Sequence, residues 1–509
     1  MAPSATARGT VSRIGQQHAA VVAGLCAGGT YVVTTGLLRT VIGALTVPEL
    51  VEDRLVALIP GSLFAGLLGV FGHLAKPALF ALLFLSPIPV GGLAGLLLKS
   101  RLRTDLPARA HTALAAALVA ALSFWLLAAT LGLWLAGKGI LGAELRQARL
   151  PTLAGHLAAW LIAAGMFWLV AMSRQWLVDG RPASTARRAA LYQLGLSLVG
   201  LGLVGASWRL VGAVGPVVAV ARDLRRGEGI LPPEITPNDR FYVVSKNFVD
   251  PVVEPRDWLL EIGGLVEHPL ALTYDELIAL PAVEEVVTLE CISNEVGGDL
   301  ISNARWRGVR LVDLLDRVGI QSTAVELIVR GVDGYSDSLG IDQAHDPATL
   351  VAYRMNGEWL PPAHGFPARL VIPGIYGKKH VKWLTRLEAV DYDYKGYWQQ
   401  QGWSDRAVVK PMARIDVPRP RQRVEPPSVL IGGVAFTGRR GIGAIQLSFD
   451  NEKTWSEATV KPPLSPFSWA IWMYDWLPPQ PGLYWVAVRV VDGRGDVQPR
   501  WFAETFPDG

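Results

Sequence analysis

The sequence predicts a multi-domain chain with an N-terminal all-α bundle of transmembrane helices, a central α+β domain and a C-terminal immunoglobulin-like β-sandwich. Hydrophobic residues form 50% of the 509 residues, and they concentrate before residue 221. Beyond residue 237, apolar β-type runs alternate with short helical patterns, which is typical of an α+β domain. Beyond residue 424, only short alternating strands remain between Gly, Pro and Asn turns. We therefore predict a transmembrane domain at 1–221, a charged linker at 222–237, the α+β domain at 238–423 and the sandwich at 424–509.

Several stretches of the first part are long and apolar enough to form membrane-spanning helices, since a hydrocarbon core takes roughly 20 helical residues. A further candidate at 55–71 is shorter and contains Pro60. The sequence therefore predicts five spans, or six if residues 55–71 also cross. The five spans are 19–45, 75–98, 112–136, 152–172 and 190–208.

The charged residues between the spans predict their orientation. The gaps 99–110 and 173–189 each hold four basic residues and one acid, which places both gaps in the cytoplasm. The basic gap 137–151 opposes this assignment. Paired Arg187 and Arg188 before the last span resemble a twin-arginine export signal, and ordinary positive-inside charge is the alternative explanation. We predict a multi-pass cell-membrane protein whose C-terminal half is extracytoplasmic.

Net charge and cysteine count exclude several classes of function. The formal net charge is only +4, so nothing indicates a nucleic-acid partner. The chain has two cysteines, Cys26 and Cys291, too few for a cysteine-ligated iron–sulfur cluster or for c-type haem attachment. His73 and His156 lie near membrane segments and are candidate haem b ligands, although no paired spacing supports them.

Cys291 is the first candidate functional residue. It follows an apolar β-type run and opens a polar, glycine-rich loop. Its thiolate is either a nucleophile with His364 or His380 as base, or the single protein ligand of a soft metal whose other sulfur ligands come from a cofactor. A buried structural cysteine is the third interpretation. The spacing alone does not choose between them.

A second candidate segment, residues 364–383, concentrates cationic and imidazole side chains between glycines. Arginine offers bidentate contacts, lysine offers a point charge, and glycine permits close backbone approach, which together suit a phosphate and a polar heterocycle. A solvated basic loop is the alternative. The interleaved apolar residues Val371, Ile372, Val381 and Trp383 favour a segment tied to a core.

These two segments resemble the signatures of the sulfite oxidase family of molybdopterin-dependent oxidoreductases. Cys-x-Ser-Asn at 291–294 resembles its molybdenum-binding motif, and His-Gly-Phe-Pro-x-Arg at 364–369 with Val-Lys-Trp at 381–383 resembles its second hallmark. The resemblance covers about residues 235–500. It implies a molybdopterin-binding catalytic domain at 238–423, a molybdenum-molybdopterin cofactor and Cys291 as the metal ligand. It also implies cofactor binding by Asn247, Ser293, Asn294, His364, Arg369, Lys379 and Lys382.

Two residues depart from the family pattern and concern the catalytic site directly. Lys246 stands where sulfite oxidases carry an arginine, and it keeps the charge without the planar fork. Trp403 stands where the active-site tyrosine would lie, and an indole cannot exchange a proton as a phenol can. Both departures argue against sulfite itself and leave a small anion or a neutral S- or N-oxide open. Another cation could restore sulfite binding, the candidates being Arg305, Arg307 and Arg440.

The resemblance implies an enzyme that transfers an oxygen atom to or from a small substrate. It exchanges electrons with a separate carrier, a cytochrome or the quinone pool. Homodimerisation through the sandwich is a further implication. The rival within the enzyme class is an extracytoplasmic reductase of the methionine sulfoxide type. A membrane transport or sensor protein without turnover is the rival outside it, and Arg39 is the one clear ionisable residue inside a predicted span that would favour transport.

Overall fold

The computed structural model describes residues 5–58, 75–98, 110–178, 231–247, 249–425 and 428–509. These residues form two compact units. The first contains the described residues up to 178 together with Asn247 and Val249, and the second contains 231–246 and 250–509. The predicted fifth span at 190–208, the paired arginines and His73 lie outside the described residues, as does most of the candidate span 55–71.

The first unit is helical, and four of its stretches are long and apolar enough to cross a membrane: Val21–Ile42, Leu79–Leu96, Ala117–Leu135 and Arg149–Val170. They coincide with the first four predicted spans, which suggests membrane association. A π-helical turn at Ala128–Gly132 separates α5 from α6, and a 3-10 helix at Ile140–Ala148 precedes α7. The helices are α1 (Ala5–Ile42), α2 (Val47–Leu58), α3 (Ala75–Leu85), α4 (Pro87–Leu98), α5 (Ala110–Leu127), α6 (Leu133–Leu135) and α7 (Arg149–Val178).

Glycines allow α1 and α4 to approach closely. A Cβ atom on Gly24 would lie 2.0 Å from the carbonyl oxygen of Gly91, and one on Gly28 would lie 2.3 Å from that of Pro87. Any side chain at these positions would therefore separate the helices. Small residues spaced by four serve the same purpose in membrane helix pairs generally, where packing replaces the hydrophobic effect.

The polar groups inside the helical unit are paired with one another. Nδ1 of His156 lies 2.6 Å from the Tyr31 hydroxyl, and Nε2 lies 2.8 Å from the Leu45 carbonyl oxygen. Both ring nitrogens are thus engaged, and haem ligation would require breaking one of these contacts. Nε of Arg39 donates to Oε1 of Glu49 at 2.8 Å. Arg39 is thus paired with a carboxylate of the same helical unit.

The second unit begins with two five-stranded sheets. In the first sheet the order is β2-β1-β10-β5-β6, where β1 and β10 are parallel and the other pairs antiparallel. In the second the order is β3-β4-β7-β8, and β9 also pairs with β7. The strands are β1 (Leu259–Gly264), β2 (Leu270–Thr273), β3 (Val283–Glu290), β4 (Ile301–Arg310), β5 (Glu326–Gly331), β6 (Ser336–Gly340), β7 (Leu350–Met355), β8 (Glu358–Trp359), β9 (Arg369–Val371) and β10 (Leu384–Val390).

Short helices cover these sheets. Thr273 and Glu276 form a capping box at the start of α8 (Tyr274–Ala279), satisfying two backbone N–H groups. Helix α9 (Leu311–Val318) is amphipathic: it buries Leu311, Leu314, Leu315 and Val318, which recur at helical spacing. Gly319, with φ +64°, ends this helix, and α10 (Ile341–Ala344) follows β6.

Two further sheets share a hydrophobic core toward the end of the chain. Their orders are β11-β12-β16-β15 and β14-β13-β17, and residues of both sheets, such as Ile431 and Leu447, are buried together. Strand β11 lies before residue 424, so the predicted boundary falls inside this sheet. An immunoglobulin-like topology stays a prediction. The strands are β11 (Met412–Val417), β12 (Val429–Phe436), β13 (Ile442–Ser448), β14 (Ser456–Glu457), β15 (Thr459–Val460), β16 (Ala470–Trp476) and β17 (Ala487–Asp492).

Residues of this last part support strand β3 from outside its own sheet. The backbone N–H of Thr288 donates to the Phe467 carbonyl at 3.0 Å, and its hydroxyl accepts from the Trp469 N–H at 2.8 Å. Arg414 donates to the carbonyl oxygen of Gly298 at 2.6 Å. Strand β3 and the loop after Cys291 are therefore stabilised by residues that come much later in the sequence.

Candidate active site

Cys291 occupies a fixed position directly after β3. Strand β3 pairs along its whole length with β4, and the backbone N–H of Cys291 donates to Leu300 across the closing loop at 2.9 Å. The thiol is 8% exposed, and its Sγ lies 3.1 Å from Oγ of Ser293. Burial raises the pKa of the Cys291 thiol, although the Ser293 hydroxyl opposes this. Burial therefore favours the protonated form of the thiol.

Asn294 orders the loop after the thiol. Its Nδ2 donates to Oε1 of Glu290 at 3.0 Å, and its Oδ1 accepts from the Leu300 N–H at 2.9 Å. Both ends of the amide are thus used inside the loop. Burial raises the pKa of Glu290 to about 7, so this carboxyl is only partly ionised near neutral pH. The structure thereby gives Asn294 a supporting role within its own loop.

The buried Arg369 and the half-buried Lys382 form a second cluster. Arg369 begins β9 and donates to the carbonyl oxygens of His364 (3.1 Å) and His380 (3.2 Å). Lys382 donates to the Ala363 carbonyl at 3.0 Å. Burial lowers the pKa of Lys382 and lowers that of Arg369 to about 10. Within the described residues neither cation has a carboxylate at salt-bridge distance, so their charges call for an anion.

Glycine brings the two cations together. Gly365 adopts a left-handed conformation with φ +108°. A Cβ atom there would lie 2.9 Å from Cβ of Lys382 and 3.1 Å from Cβ of Arg369. Only glycine fits both the backbone angle and the space. The glycine of the His-Gly-Phe-Pro-x-Arg motif is thus needed to assemble the cation cluster.

Tyr242 links the cation cluster to the thiol. Its ring is buried, and burial raises its pKa, with Cys291 adding to the rise and Arg369 opposing it. The phenol therefore lies within electrostatic range of both groups. A Cβ atom on Gly377 would lie only 2.7 Å from the Tyr242 hydroxyl and 3.3 Å from the carbonyl oxygen of Glu290. The two sequence motifs consequently meet at this tyrosine.

The two candidate bases have other partners. Nε2 of His380 lies 3.1 Å from the Ile375 carbonyl oxygen, and its Nδ1 accepts from the Ile372 N–H at 3.4 Å. Burial, and then Arg369, lower the pKa of His380 to about 3, so the ring stays neutral. Nε2 of His364 lies 3.0 Å from the Asn238 carbonyl oxygen. The nucleophile interpretation of the cysteine thus loses its best base.

Lys379, predicted to bind the cofactor, lies in an ion-pair network. Its Nζ donates to Oδ1 of Asp337 at 3.0 Å, to the Ser338 carbonyl at 2.6 Å and to Oδ1 of Asp405 at 3.3 Å. Lys378 binds the same Asp337 at 3.2 Å. Unlike Arg369, Lys379 therefore has its charge compensated by the protein itself.

Lys246 and Trp403 both join the segment 397–405. Nζ of Lys246 lies 5.5 Å from the centre of the Tyr397 ring, and the backbone N–H of Trp403 donates to the Trp398 carbonyl at 3.1 Å. The Trp403 side chain is 5% exposed, and its Nε1 has no hydrogen-bond partner among the described residues. Asn247, the remaining predicted residue, is buried but belongs to the helical unit.

Three functional candidates were not predicted individually. Tyr242 and Tyr335 lie outside the two candidate segments of the sequence, and Tyr376 lies within the segment 364–383 without being singled out. Burial raises the pKa of Tyr335 and of Tyr376, and the electrostatic influence of Cys291 adds to the rise in each case. The position of Tyr376 inside the segment 364–383 is a signal that could have identified it. Tyr335 lies in an unremarkable turn and carries none.

A family model described as the oxidoreductase molybdopterin binding domain matches residues 247–398, which include Cys291 and the cation cluster. The fold and site thus define a molybdopterin-binding oxidoreductase domain.

Relatives identify the family more closely. Sulfite oxidase of Arabidopsis thaliana is 30% identical over 279 residues, covering 44% of this chain and 70% of that protein. The uncharacterized oxidoreductase YuiH of Bacillus subtilis is 31% identical over 178 residues, 35% of this chain and 88% of its own length. Mitochondrial sulfite oxidase of Rattus norvegicus is 31% identical over 314 residues, 52% of this chain and 57% of its own length. The chain belongs to the sulfite oxidase family of molybdopterin-dependent oxidoreductases, and it spans about half the length of the mitochondrial relatives.

Membership confirms the resemblance seen in the two motifs and gives molybdenum-molybdopterin as the cofactor. The residues present fit this group. Cys291 offers one soft sulfur ligand. Arg369 and the half-buried Lys382 offer positive charge for a phosphate, and Nε of Arg369 is buried with no hydrogen-bond partner among the described residues.

Proposed function

We propose that this chain is a membrane-anchored oxidoreductase that transfers an oxygen atom to or from a small substrate, either a sulfite-like anion or an S- or N-oxide. The observation that carries the proposal is the buried cluster that Cys291 shares with Tyr242, whose phenol is also within electrostatic range of Arg369. Within the described residues, neither Arg369 nor Lys382 has a carboxylate at salt-bridge distance. The bound cofactor would supply oxygen-atom transfer coupled to a two-electron change at its metal.

Each part of the site has a separate task under this proposal. Cys291 is the protein's metal ligand, Ser293 hydrogen-bonds its sulfur, and Asn294 orders the loop. Arg369, Lys382 and His364 hold the pterin and its phosphate, with Asn247 and Lys379 as further cofactor-binding residues. Tyr242 and Tyr376 exclude water next to the thiol, where burial strengthens every polar contact.

Molybdenum and pterin analysis of the purified full chain tests the proposal directly. We expect one molybdenum per chain, and turnover of at least one small oxide or oxyanion with artificial electron donors or acceptors. A chain that carries no molybdenum after expression with molybdate would contradict it.

Lys246 and Trp403 predict that sulfite is a poor substrate. The double variant Lys246→Arg, Trp403→Tyr is expected to raise kcat/KM for sulfite by about tenfold or more, because a planar fork binds an oxyanion with charged hydrogen bonds. Steady-state assays with sulfite provide the measurement. The exposed pair Lys453→Arg, Trp485→Tyr is the matched control and should change nothing.

The other candidate arginines are less suited to supply the missing fork. Arg305 is exposed and pairs with Glu284 at 3.2 Å, Arg307 is exposed, and Arg440 pairs with Asp492 at 2.9 Å. Efficient sulfite oxidation by the native protein, with no gain in the double variant, would show that the two departures are neutral. The buried indole of Trp403 keeps a sulfoxide reductase as the second candidate, since an apolar wall suits a neutral oxide.

The catalytic unit is expected to lie outside the cytoplasm. The basic gap 173–189 precedes the last predicted span and favours a cytoplasmic position for that gap. A reporter that works only outside the cytoplasm should therefore be active when it is fused after Gly509. Fluorescence of a cytoplasm-only reporter at that position would refute the topology.

Arg187→Lys with Arg188→Lys should block export of the cofactor-loaded protein if the twin-arginine route is used.

The electron partner under this proposal is a separate carrier, a cytochrome or the quinone pool. His156 is engaged at both ring nitrogens, and the two cysteines lie in different units, which supports a separate electron carrier. A homodimer through the β11–β17 sheets, and an immunoglobulin-like topology for them, belong to the same proposal.

A further inference from the structure

Residues 505–509 return from the β11–β17 sheets to the loop that carries Trp403. The ring of Phe506 meets the Trp403 indole edge to face, with 5.2 Å between ring centres and an angle of 83°. The backbone N–H of Ser404, the next residue along, donates to the Pro507 carbonyl at 3.0 Å. Both the side chain and the backbone of this loop are therefore fixed by the returning segment.

The other end of the same segment covers Tyr376. Gly509 has φ +86°, and a Cβ atom there would lie 2.5 Å from Cε2 of the Tyr376 ring. Lys410 binds both Gly509 and Tyr376. Its Nζ donates to the Gly509 carbonyl at 2.6 Å, and its backbone N–H donates to the Tyr376 hydroxyl at 3.3 Å. The segment thus rests on two buried aromatic residues at once.

Both aromatic residues concern the site. Tyr376 precedes Gly377, where a Cβ atom would lie 2.7 Å from the Tyr242 hydroxyl and 3.3 Å from the carbonyl oxygen of Glu290, the residue before Cys291. Trp403 is the catalytic candidate whose Nε1 is buried without a partner in the described part of the chain. A shift of the Tyr376 ring would displace Gly377 and with it Tyr242, because a packed core transmits displacement.

We propose that residues 505–509 complete the substrate side of the site, with Phe506 as the positioning residue for Trp403 and Gly509 as that for Tyr376. The inference rests on the proposed function, since that function places Trp403 at the substrate. The segment narrows the site to small substrates by holding the indole in one orientation.

Phe506→Ala in the full chain tests this arrangement in two ways. In the loaded protein, KM for sulfite or dimethyl sulfoxide should rise on the order of tenfold with a smaller change in kcat, because the misplaced indole no longer forms the wall. Molybdenum content should stay unchanged. In the full chain produced without molybdate, iodoacetamide should alkylate Cys291 roughly tenfold faster, since local opening becomes more frequent. Peptide mass spectrometry measures it, with Cys26 as internal reference.

Phe502→Ala is the matched control, because Phe502 is 74% exposed and four residues away. Phe506→Tyr should restore both readouts. If Phe506→Ala does not fold, Phe506→Leu replaces it, and we expect smaller increases in KM and in the alkylation rate. Phe506 variants that behave like Phe502→Ala in both assays would overturn the inference. A wild-type chain without turnover, whose Phe506→Ala variant still exposes Cys291, would contradict only the proposed function.

Discussion

Cys291→Ser is expected to abolish turnover while the chain still folds. A hydroxyl is a poor ligand for a soft metal, so activity should fall by more than the ~100-fold upper cost of changing a residue that merely supports a metal ligand. The serine hydroxyl can keep the contact with Ser293, so the free energy of unfolding should change by only about 1 kcal/mol. Assays of turnover per molybdenum and thermal unfolding measure the two effects.

Cys26→Ser is the control for the cysteine prediction. Cys26 lies in helix α1, in the other compact unit, and is partly exposed. This variant should keep wild-type turnover. Full molybdenum-dependent activity in Cys291→Ser would show that the thiol is not the metal ligand, and Cys291 would then be a buried structural cysteine.

Arg369→Met is expected to lose the cofactor. One charged hydrogen-bonding partner contributes about 1.5–3 kcal/mol, which corresponds to a roughly 10- to 150-fold weaker affinity for the anionic group. The carbonyl oxygens of His364 and His380 also lose their donor. Molybdenum and pterin content after extensive dialysis gives the measurement. The cofactor content of Arg369→Lys should lie between that of the wild type and that of Arg369→Met, because lysine keeps the charge without the planar guanidinium.

Arg305→Met is the matched control for the arginine prediction. Arg305 lies two strands away on the exposed face of β4, and its partner Glu284 lies at 3.2 Å. Its loss should leave cofactor content unchanged, as expected for an exposed ion pair. Wild-type molybdenum and pterin in Arg369→Met would rule out the buried arginine as a cofactor-binding residue.

The parts of the site that could be predicted lie in contiguous motifs. Cys291 ends a strand and opens a polar loop, and the motif glycine Gly365 brings Arg369 against Lys382, so local sequence already contains the geometry. The ion pair of Lys379 with Asp337 could not be predicted in this way, since 42 residues separate the partners. The same holds for Phe506, which nothing in its neighbourhood connects to an active site.

The fold, like the site, could be predicted only where the local sequence pattern determines the structure. The first four spans follow from hydropathy, because bilayer thickness imposes a length that is easily recognised. The start of the β11–β17 sheets was placed too late, because strand β11 reads as an isolated short run and only its pairing with β12 reveals its sheet. Pairing between distant strands is a property of the folded chain and leaves little trace in local pattern.

The bonds from Arg414, Phe467 and Trp469 to the strand and loop around Cys291 impose an order on biosynthesis. A ribosome makes the loop first and its outer supports later, 116 residues later for the bond from Arg414 to Gly298. The loop gains its full framework only when the chain has been made through residue 469. A ribosome stalled before that point would therefore carry the Cys291 loop without the bonds to Phe467 and Trp469 that support strand β3.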